Sequence, residues 1–174
     1  MGSGPPEPEA ITELGIDIIE IRRIGKTLSR FPERFMRRVL TEREADYVRG
    51  RPDTMAGRWA AKEAVSKVLG LGVRGVGWRE IEIVRLPTGQ PSVSLSGRAL
   101  MRAEQLGMGR IAVSISHERE YAVAVAQGQR TRGGAFMFPV NLEARLEERE
   151  RQLLERMRRL GELDRDVRTR ERSA

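Results

Sequence analysis

Cysteine is absent from the chain, and histidine occurs once, at His117. Those absences exclude a disulfide scaffold, a zinc–thiolate site, an iron–sulfur cluster, a cysteine nucleophile and a histidine-rich metal centre. Aromatic residues make up only 5% of the 174 positions. No apolar run approaches the roughly 20 residues needed to span a bilayer. The opening MGSGPPEPEA lacks a hydrophobic core and does not read as a signal peptide. The expectation is a soluble, cytoplasmic protein without a membrane segment.

What is present is enough apolar sequence for one core, at 39%, and a net charge of +7. Of the 32 basic residues, three are lysines (Lys26, Lys62, Lys67), so arginine dominates. Excess positive charge points to an acidic partner: nucleic acid, a phosphorylated metabolite or an acidic protein.

The patterning predicts an α+β fold, a mostly antiparallel sheet packed on helices. Residues 1–12 read as a flexible leader, with MGSG a candidate tag scar. Residues 14–19 read as a buried strand interrupted by one acid. Ile21, Ile24 and Leu28 then fall at helical spacing up to Arg30, and a short helix follows Pro32. Thr41 through Glu44 fits a capping box, opening a helix that ends near Gly50. From Pro52 to Leu69 runs a helix whose expected apolar face is Met55, Trp59, Ala60, Ala64, Val65, Val68 and Leu69. Residues 80–86 and 92–95 read as a hairpin around Gly89-Gln90-Pro91. Ser96 caps a further helix to Leu106, and residues 110–117 and 121–126 read as a closing strand pair. The globular domain is placed at 13–128 and a linker at 129–141. A charged helical extension follows at 142–174, where Leu146, Leu153, Leu160 and Val167 recur every seven residues. Arg149 and Arg156 interrupt its second seam, which leaves a partner-binding helix and a solvated single helix both open.

Without cysteine, the chemistry must rest on carboxylates, lysine, hydroxyls or a metal. Asp17 interrupts an apolar strand, where an acid needs a cation, a metal or a helix to cap. Trp59, Glu63 and Lys67 lie at i, i+4 and i+8 on one stripe of the long helix. An isolated Glu and Lys at that spacing are ordinarily a surface pair; a tryptophan on the same stripe makes this one a candidate site. The glycines at 70, 72, 75, 77 and 89 allow close phosphate approach or simply make turns. No Walker or dinucleotide fingerprint accompanies them. Ser114, Ser116 and His117 end a strand without a nucleophile elbow.

Gly15-Ile16-Asp17-Ile18 followed by Glu20-Ile21-Arg22-Arg23-Ile24 resembles the first motif of the holo-acyl-carrier-protein synthases, the small bacterial phosphopantetheinyl transferases. Residues 58–67, RWAAKEAVSK, with Gly70-Leu71-Gly72, are similar to the second, R-(F/W)-A-x-K-E-A-x-x-K then G-x-G. Gly89-Gln90-Pro91 stands where the family has G-K-P, and residues 114–122 resemble its closing S-(I/L)-(S/T)-H…Y-A. The resemblance covers about residues 13–128.

It implies transfer of 4′-phosphopantetheine from coenzyme A to a serine of apo-acyl carrier protein. It also implies Mg²⁺ on Asp17 and Glu63, with Lys67 as a catalytic phosphate contact and Glu63 a candidate to orient a proton-accepting water. For coenzyme A it implies Arg58, Lys67, Gly72, Gly89, Gln90, Pro91, Ser116 and His117. Gln90 removes the usual lysine charge, which Arg74 or another arginine would replace. Residues 20–38 hold seven cations against two acids. They read either as a solvated basic face or as a dock for an acidic carrier through Arg23, Lys26 and Arg30. The family's homotrimer, with active sites between subunits, is carried over as an expectation. The alternatives are a basic nucleic-acid-binding module, or an assembly protein built on a degenerate transferase fold. Against the first, charges in the tail nearly balance and no stacking aromatics interleave them.

Overall fold

The computed structural model describes residues 11–72, 75, 77–130, 136 and 157–158. The chain divides into two units, Met1–Pro139 and Val140–Ala174. In the second, Met157 and Arg158 are helical and exposed. The rest of the expected heptad helix lies outside the described residues, as do Arg74 and most of the leader.

The first unit opens with β1 (Thr12–Glu20), which passes directly into α1 (Ile21–Arg30). The Ile21 N–H donates to Glu120 O at 2.8 Å, so the junction itself is tied to the sheet. Pro32 occupies the first turn of α2 (Pro32–Val39), where its missing N–H costs nothing. The capping box forms at α3 (Glu42–Val48): Thr41 accepts from the Glu44 N–H, and Glu44 accepts from the Thr41 N–H at 2.9 Å. Left-handed Arg49 and Gly50 then stop the helix. The long helix α4 (Pro52–Val68) leads through a 3₁₀ turn (Trp78–Glu80) to the hairpin β2 (Ile81–Arg85) and β3 (Pro91–Leu95). Helix α5 (Gly97–Gln105) precedes β4 (Met108–His117) and β5 (Tyr121–Arg130). The expected α+β class is what forms.

β1, β5 and β4 make an antiparallel three-stranded sheet with β5 in the middle. Helix α4 lies across one face, and the residues that meet there are small. Ala122, Ala124 and Ala126 of β5 and Ala56, Ala60, Ala61 and Ala64 of α4 are fully buried. The approach is closest at β1, where a Cβ on Gly15 would sit 2.1 Å from the Ala64 carbonyl oxygen. Only glycine fits there.

Four expectations need correction. β1 is not buried on both faces: Leu14, Ile16 and Ile18 are 70%, 60% and 61% exposed, while Gly15 and Ile19 are buried. It is an edge strand covered only on the α4 side, so its alternation decides which residues meet the core. Helix α4 has no polar face along most of its length. Arg58, Lys62 and Ser66 are buried with the apolar residues, because sheet, α1 and β2 surround the helix. Trp59 does not line a site: it stacks between Phe35 and Trp78, at ring separations of 5.5 and 4.9 Å. Finally, β5 runs on to Arg130, and Phe136 packs against the core, so the folded unit takes in part of the expected linker.

Candidate functional site

The glycine at position 15 lets β1 press against α4, and this brings Asp17 to the helix. Lys67 Nζ donates to Asp17 Oδ1 at 3.0 Å and also to the Ile16 carbonyl. The pair is open to water on the lysine side, 51% exposed against 18% for the aspartate. Glu63 is one turn before Lys67 on the same helix. Burial raises its proton affinity above the usual carboxylate range, and the negative charge of Asp17 raises it further. Lys67 and Arg23 oppose that rise without cancelling it. Two carboxylates are thus held near each other with incomplete neutralisation. Hard oxygens in that state suit a divalent cation, and Mg²⁺ often takes one or two carboxylates plus phosphate and water. Among the described residues no group of three or more Asp, Glu, His or Cys is placed to hold a metal ion. A cation here would complete its shell from substrate and solvent.

A second site forms at the opposite edge of the sheet. His117, at the end of β4, pairs across β5 with Ala122, which pairs in turn with Ile19 of β1. Two strand spacings, about 10 Å, therefore separate this edge from β1. A cleft of about 210 Å³ opens there. α3 and α4 supply Tyr47, Thr54, Gly57 and Arg58; the hairpin supplies Arg85, Gly89 and Pro91; β4 supplies Ile115 and His117. Gly89 takes φ +87, which the turn requires of glycine.

Arg58 is fixed on two sides. Its guanidinium donates to the Ile83 carbonyl and stacks over Tyr47 with 4.6 Å to the ring centroid. Burial lowers its proton affinity from the usual arginine value, with Glu44 and Tyr47 working against that. Behind it, Lys62 Nζ bonds Glu44 Oε2 at 2.7 Å, Trp78 O at 2.9 Å and the Ile81 carbonyl. Glu44 Oε1 accepts the Ile83 N–H at 3.0 Å. One carboxylate therefore caps α3, holds β2 and neutralises a lysine that is wholly buried.

The residues expected to bind coenzyme A do not all converge in one chain. Arg58, Gly89, Pro91 and His117 line the cleft. Lys67 belongs to the carboxylate site. Gln90 is exposed on the hairpin turn, its N–H on Thr88 Oγ1 at 3.5 Å. Gly72 lies in the exposed loop after α4. Ser116 alternates onto the uncovered face of the sheet with Ile18 and Val123. On α1, Arg23 acts on Glu63, whereas Lys26 and Arg30 line an open groove with Arg22, Gly25 and Pro52.

Sequence reasoning missed Lys62, Glu44, Tyr47, Thr54 and Arg85. For Lys62 a signal existed. Met55, Arg58, Lys62, Val65 and Leu69 recur at spacings of three and four, so two cations occupy what is otherwise a buried stripe. Tyr47 and Arg85 carry no comparable local sign, because the cleft is assembled from distant segments.

The model of the 4′-phosphopantetheinyl transferase superfamily matches residues 13–126. The chain is similar to a holo-[acyl-carrier-protein] synthase of Gloeobacter violaceus, 50% identical over 115 residues, or 64% of this chain and 87% of that one. Among solved structures it resembles Helicobacter pylori holo-[acyl-carrier-protein] synthase in complex with coenzyme A. The identity is 32% and the TM-score 0.60, over 65% of this chain and 96% of the other. The Bacillus anthracis holo-(acyl-carrier-protein) synthase in complex with CoA (3′,5′-ADP) is 35% identical, TM-score 0.58, over 70% and 99%.

Proposed function

The chain belongs to the 4′-phosphopantetheinyl transferase superfamily, among its holo-acyl-carrier-protein synthases, and we propose that it works with Mg²⁺ held by Asp17 and Glu63. The reaction moves the 4′-phosphopantetheine of coenzyme A to a serine of apo-acyl carrier protein. The serine Oγ bonds to the phosphorus that bears the pantetheine arm. The bridging P–O bond of the pyrophosphate breaks, and adenosine 3′,5′-bisphosphate leaves with the electron pair. The crowded Asp17–Glu63 pair is the observation that supports the metal reading.

Bound there, Mg²⁺ would supply charge neutralisation for the pyrophosphate. The chain's own residues do the rest. Asp17 is set by the Gly15 contact and by Lys67. Lys67, half-exposed, offers a point charge to a phosphate oxygen. Glu63, with its raised proton affinity, is suited to take the serine proton through an oriented water.

The basic groove of α1 docks the acidic carrier beside this site, with Lys26 and Arg30 in the groove and the charge of Arg23 felt at Glu63. Leu14, Ile16, Ile18 and Val125 leave one face of the three-stranded sheet apolar and uncovered. That face supports the homotrimer the family uses. The two sites at opposite sheet edges fit active sites completed by a neighbouring subunit. A cytoplasmic setting and a place in fatty acid biosynthesis follow from the family's substrates.

Intact mass of apo-acyl carrier protein incubated with this protein and coenzyme A tests the reading. A gain of about 340 Da, the phosphopantetheine arm, is expected with Mg²⁺ and is lost with chelator or with Glu63→Gln. A gain that survives both would remove the metal from the mechanism.

A further inference from the structure

The β2–β3 hairpin shares no hydrogen-bond ladder with the three-stranded sheet, since the described strands form two separate sheets. A two-stranded hairpin has little stability of its own, so its placement depends on what side chains hold it. β3 takes one edge of β2. On the other edge, charged side chains stand where a strand would. Lys62 Nζ donates to the Ile81 carbonyl, Glu44 Oε1 accepts the Ile83 N–H at 3.0 Å, and Arg58 Nη1 donates to the Ile83 carbonyl. Ile81 and Ile83 are buried, so water cannot serve these backbone groups instead. The spacings match: Arg58 and Lys62 are separated by a helix rise of about 6 Å, and their acceptors on β2 by about 6.6 Å of strand.

This edge also sets two walls of the cleft. The hairpin brings Arg85, Gly89 and Pro91 to it, and α4 brings Arg58. The walls meet at Ile83, whose N–H is held by Glu44 and whose carbonyl is held by Arg58. Glu44 itself is not among the residues that line the cleft. Its Oε2 takes Lys62 at 2.7 Å and the Thr41 N–H at 2.9 Å, which leaves Oε1 for Ile83. We propose that Glu44 is a positioning residue for donor binding: by fixing Ile83 it holds the hairpin and Arg58 at one separation, and so sets the affinity for coenzyme A without touching it. This rests on the transferase reading, which makes the cleft a donor site. The role demands a carboxylate of this length. A glutamine can turn its one oxygen toward Lys62 and Thr41 or toward Ile83, not both. The charged lysine draws it to the first side, and the amide NH2 then faces the Ile83 N–H, donor to donor. An aspartate keeps the charge beside Lys62 but reaches one methylene less far.

The test is steady-state transfer by the full chain, with coenzyme A and apo-carrier protein varied separately, in the wild type, Glu44→Gln, Glu44→Asp and Val48→Ala. Val48 is fully buried on the same helix and holds none of these groups with its side chain, so its truncation controls for lost stability alone. Glu44→Gln should raise KM for coenzyme A about tenfold, the scale of one buried hydrogen bond left unmade. Its kcat and its KM for carrier should stay within about twofold on the same reasoning. Glu44→Asp should shift the same constant in the same direction, and it carries the test if the glutamine variant does not fold. Val48→Ala should leave all three constants in place. An equal rise in Val48→Ala, no rise in either Glu44 variant, or a fall in kcat with KM for coenzyme A unchanged would overturn the proposal. Calorimetric binding of adenosine 3′,5′-bisphosphate, well below the Tm of each variant, reads the cleft without turnover. A wild type that binds the bisphosphate but transfers nothing would sink the transferase reading, while weaker binding in the Glu44 variants alone would still uphold the positioning role. Equal binding by the wild type and the Glu44 variants would refute it.

Discussion

Helix α4 carries two lysine–carboxylate pairs five residues apart, and they behave oppositely. Lys62 and Glu44 are 0% and 1% exposed, and every polar group between them has a partner. Lys67 and Asp17 sit at the edge of the fold, with Glu63 beside them and its charge only partly answered. The chemical types are the same. The difference is satisfaction: the first pair joins α3, α4 and β2 and has nothing left for a ligand, whereas the second retains a surplus of negative oxygen facing solvent. A buried pair fully hydrogen-bonded specifies architecture, and a crowded, half-open one is where chemistry is expected.

The largest effect should come from breaking the satisfied pair. Lys62→Met leaves the Glu44 carboxylate buried and unpaired, and about 3–5 kcal/mol of stability should be lost in denaturant titration. Adding Glu44→Gln should return part of that loss, because the amide carries no charge and its single oxygen still accepts from one of the two N–H groups, Ile83 or Thr41. A double variant no more stable than Lys62→Met would mean that the lysine acts through its carbonyl contacts alone.

Next comes Glu63→Gln, expected to lower kcat by roughly 10²-fold or more, the scale of a lost acid–base group. Its stability should move the other way. Because the folded Glu63 binds its proton more tightly than the unfolded one, stability falls as pH rises from the ordinary glutamate range through the raised value. The ionised side chain is therefore the strained form at neutral pH. In metal-free buffer, Glu63→Gln should show a higher Tm than the wild type near pH 7.5, with the gap closing at acid pH. An equal or lower Tm near neutrality would show that Glu63 is as satisfied as Glu44. The same shift sets the acid limb of kcat/KM, which should lie above the usual carboxylate range and move down as Mg²⁺ rises, since proton and cation compete for one carboxylate.

The smallest effect belongs to the open groove on α1. Lys26→Glu should lower kcat/KM for apo-carrier protein about tenfold at low ionic strength and much less at 0.5 M salt, leaving KM for coenzyme A in place. A salt-independent loss would mean that the helix contributes contacts rather than steering.

Local features were legible in the sequence because their causes are local. The Thr41–Glu44 capping box, Pro32, Pro52 and the turn at Gly89 each announce themselves within four residues. Asp17 and Glu63 stood out as acids in apolar surroundings, and their proximity follows from the fold. The exposure of Leu14, Ile16 and Ile18 was not legible, since a run of apolar residues looks alike in an edge strand and a buried one. Which it is depends on β5 arriving more than 100 residues later to pair on one side only. Lys62 was legible as a motif residue but not as a buried one, because its partner Glu44 lies 18 positions upstream and its carbonyl acceptors 16 and 19 downstream. The cleft draws on three distant segments, so Tyr47 and Arg85 had no sequence neighbour to mark them.

The contact at Gly15 has a genetic consequence. Any missense change of a glycine codon adds at least a Cβ, and here that atom would meet a helix carbonyl at 2.1 Å with no flexible end to move aside. In a saturation screen for growth, position 15 should return no viable substitution at all, not even alanine or serine. Gly25 on α1 would contrast with it, since its added atom would rest 3.8 Å from Pro52 and should admit alanine freely.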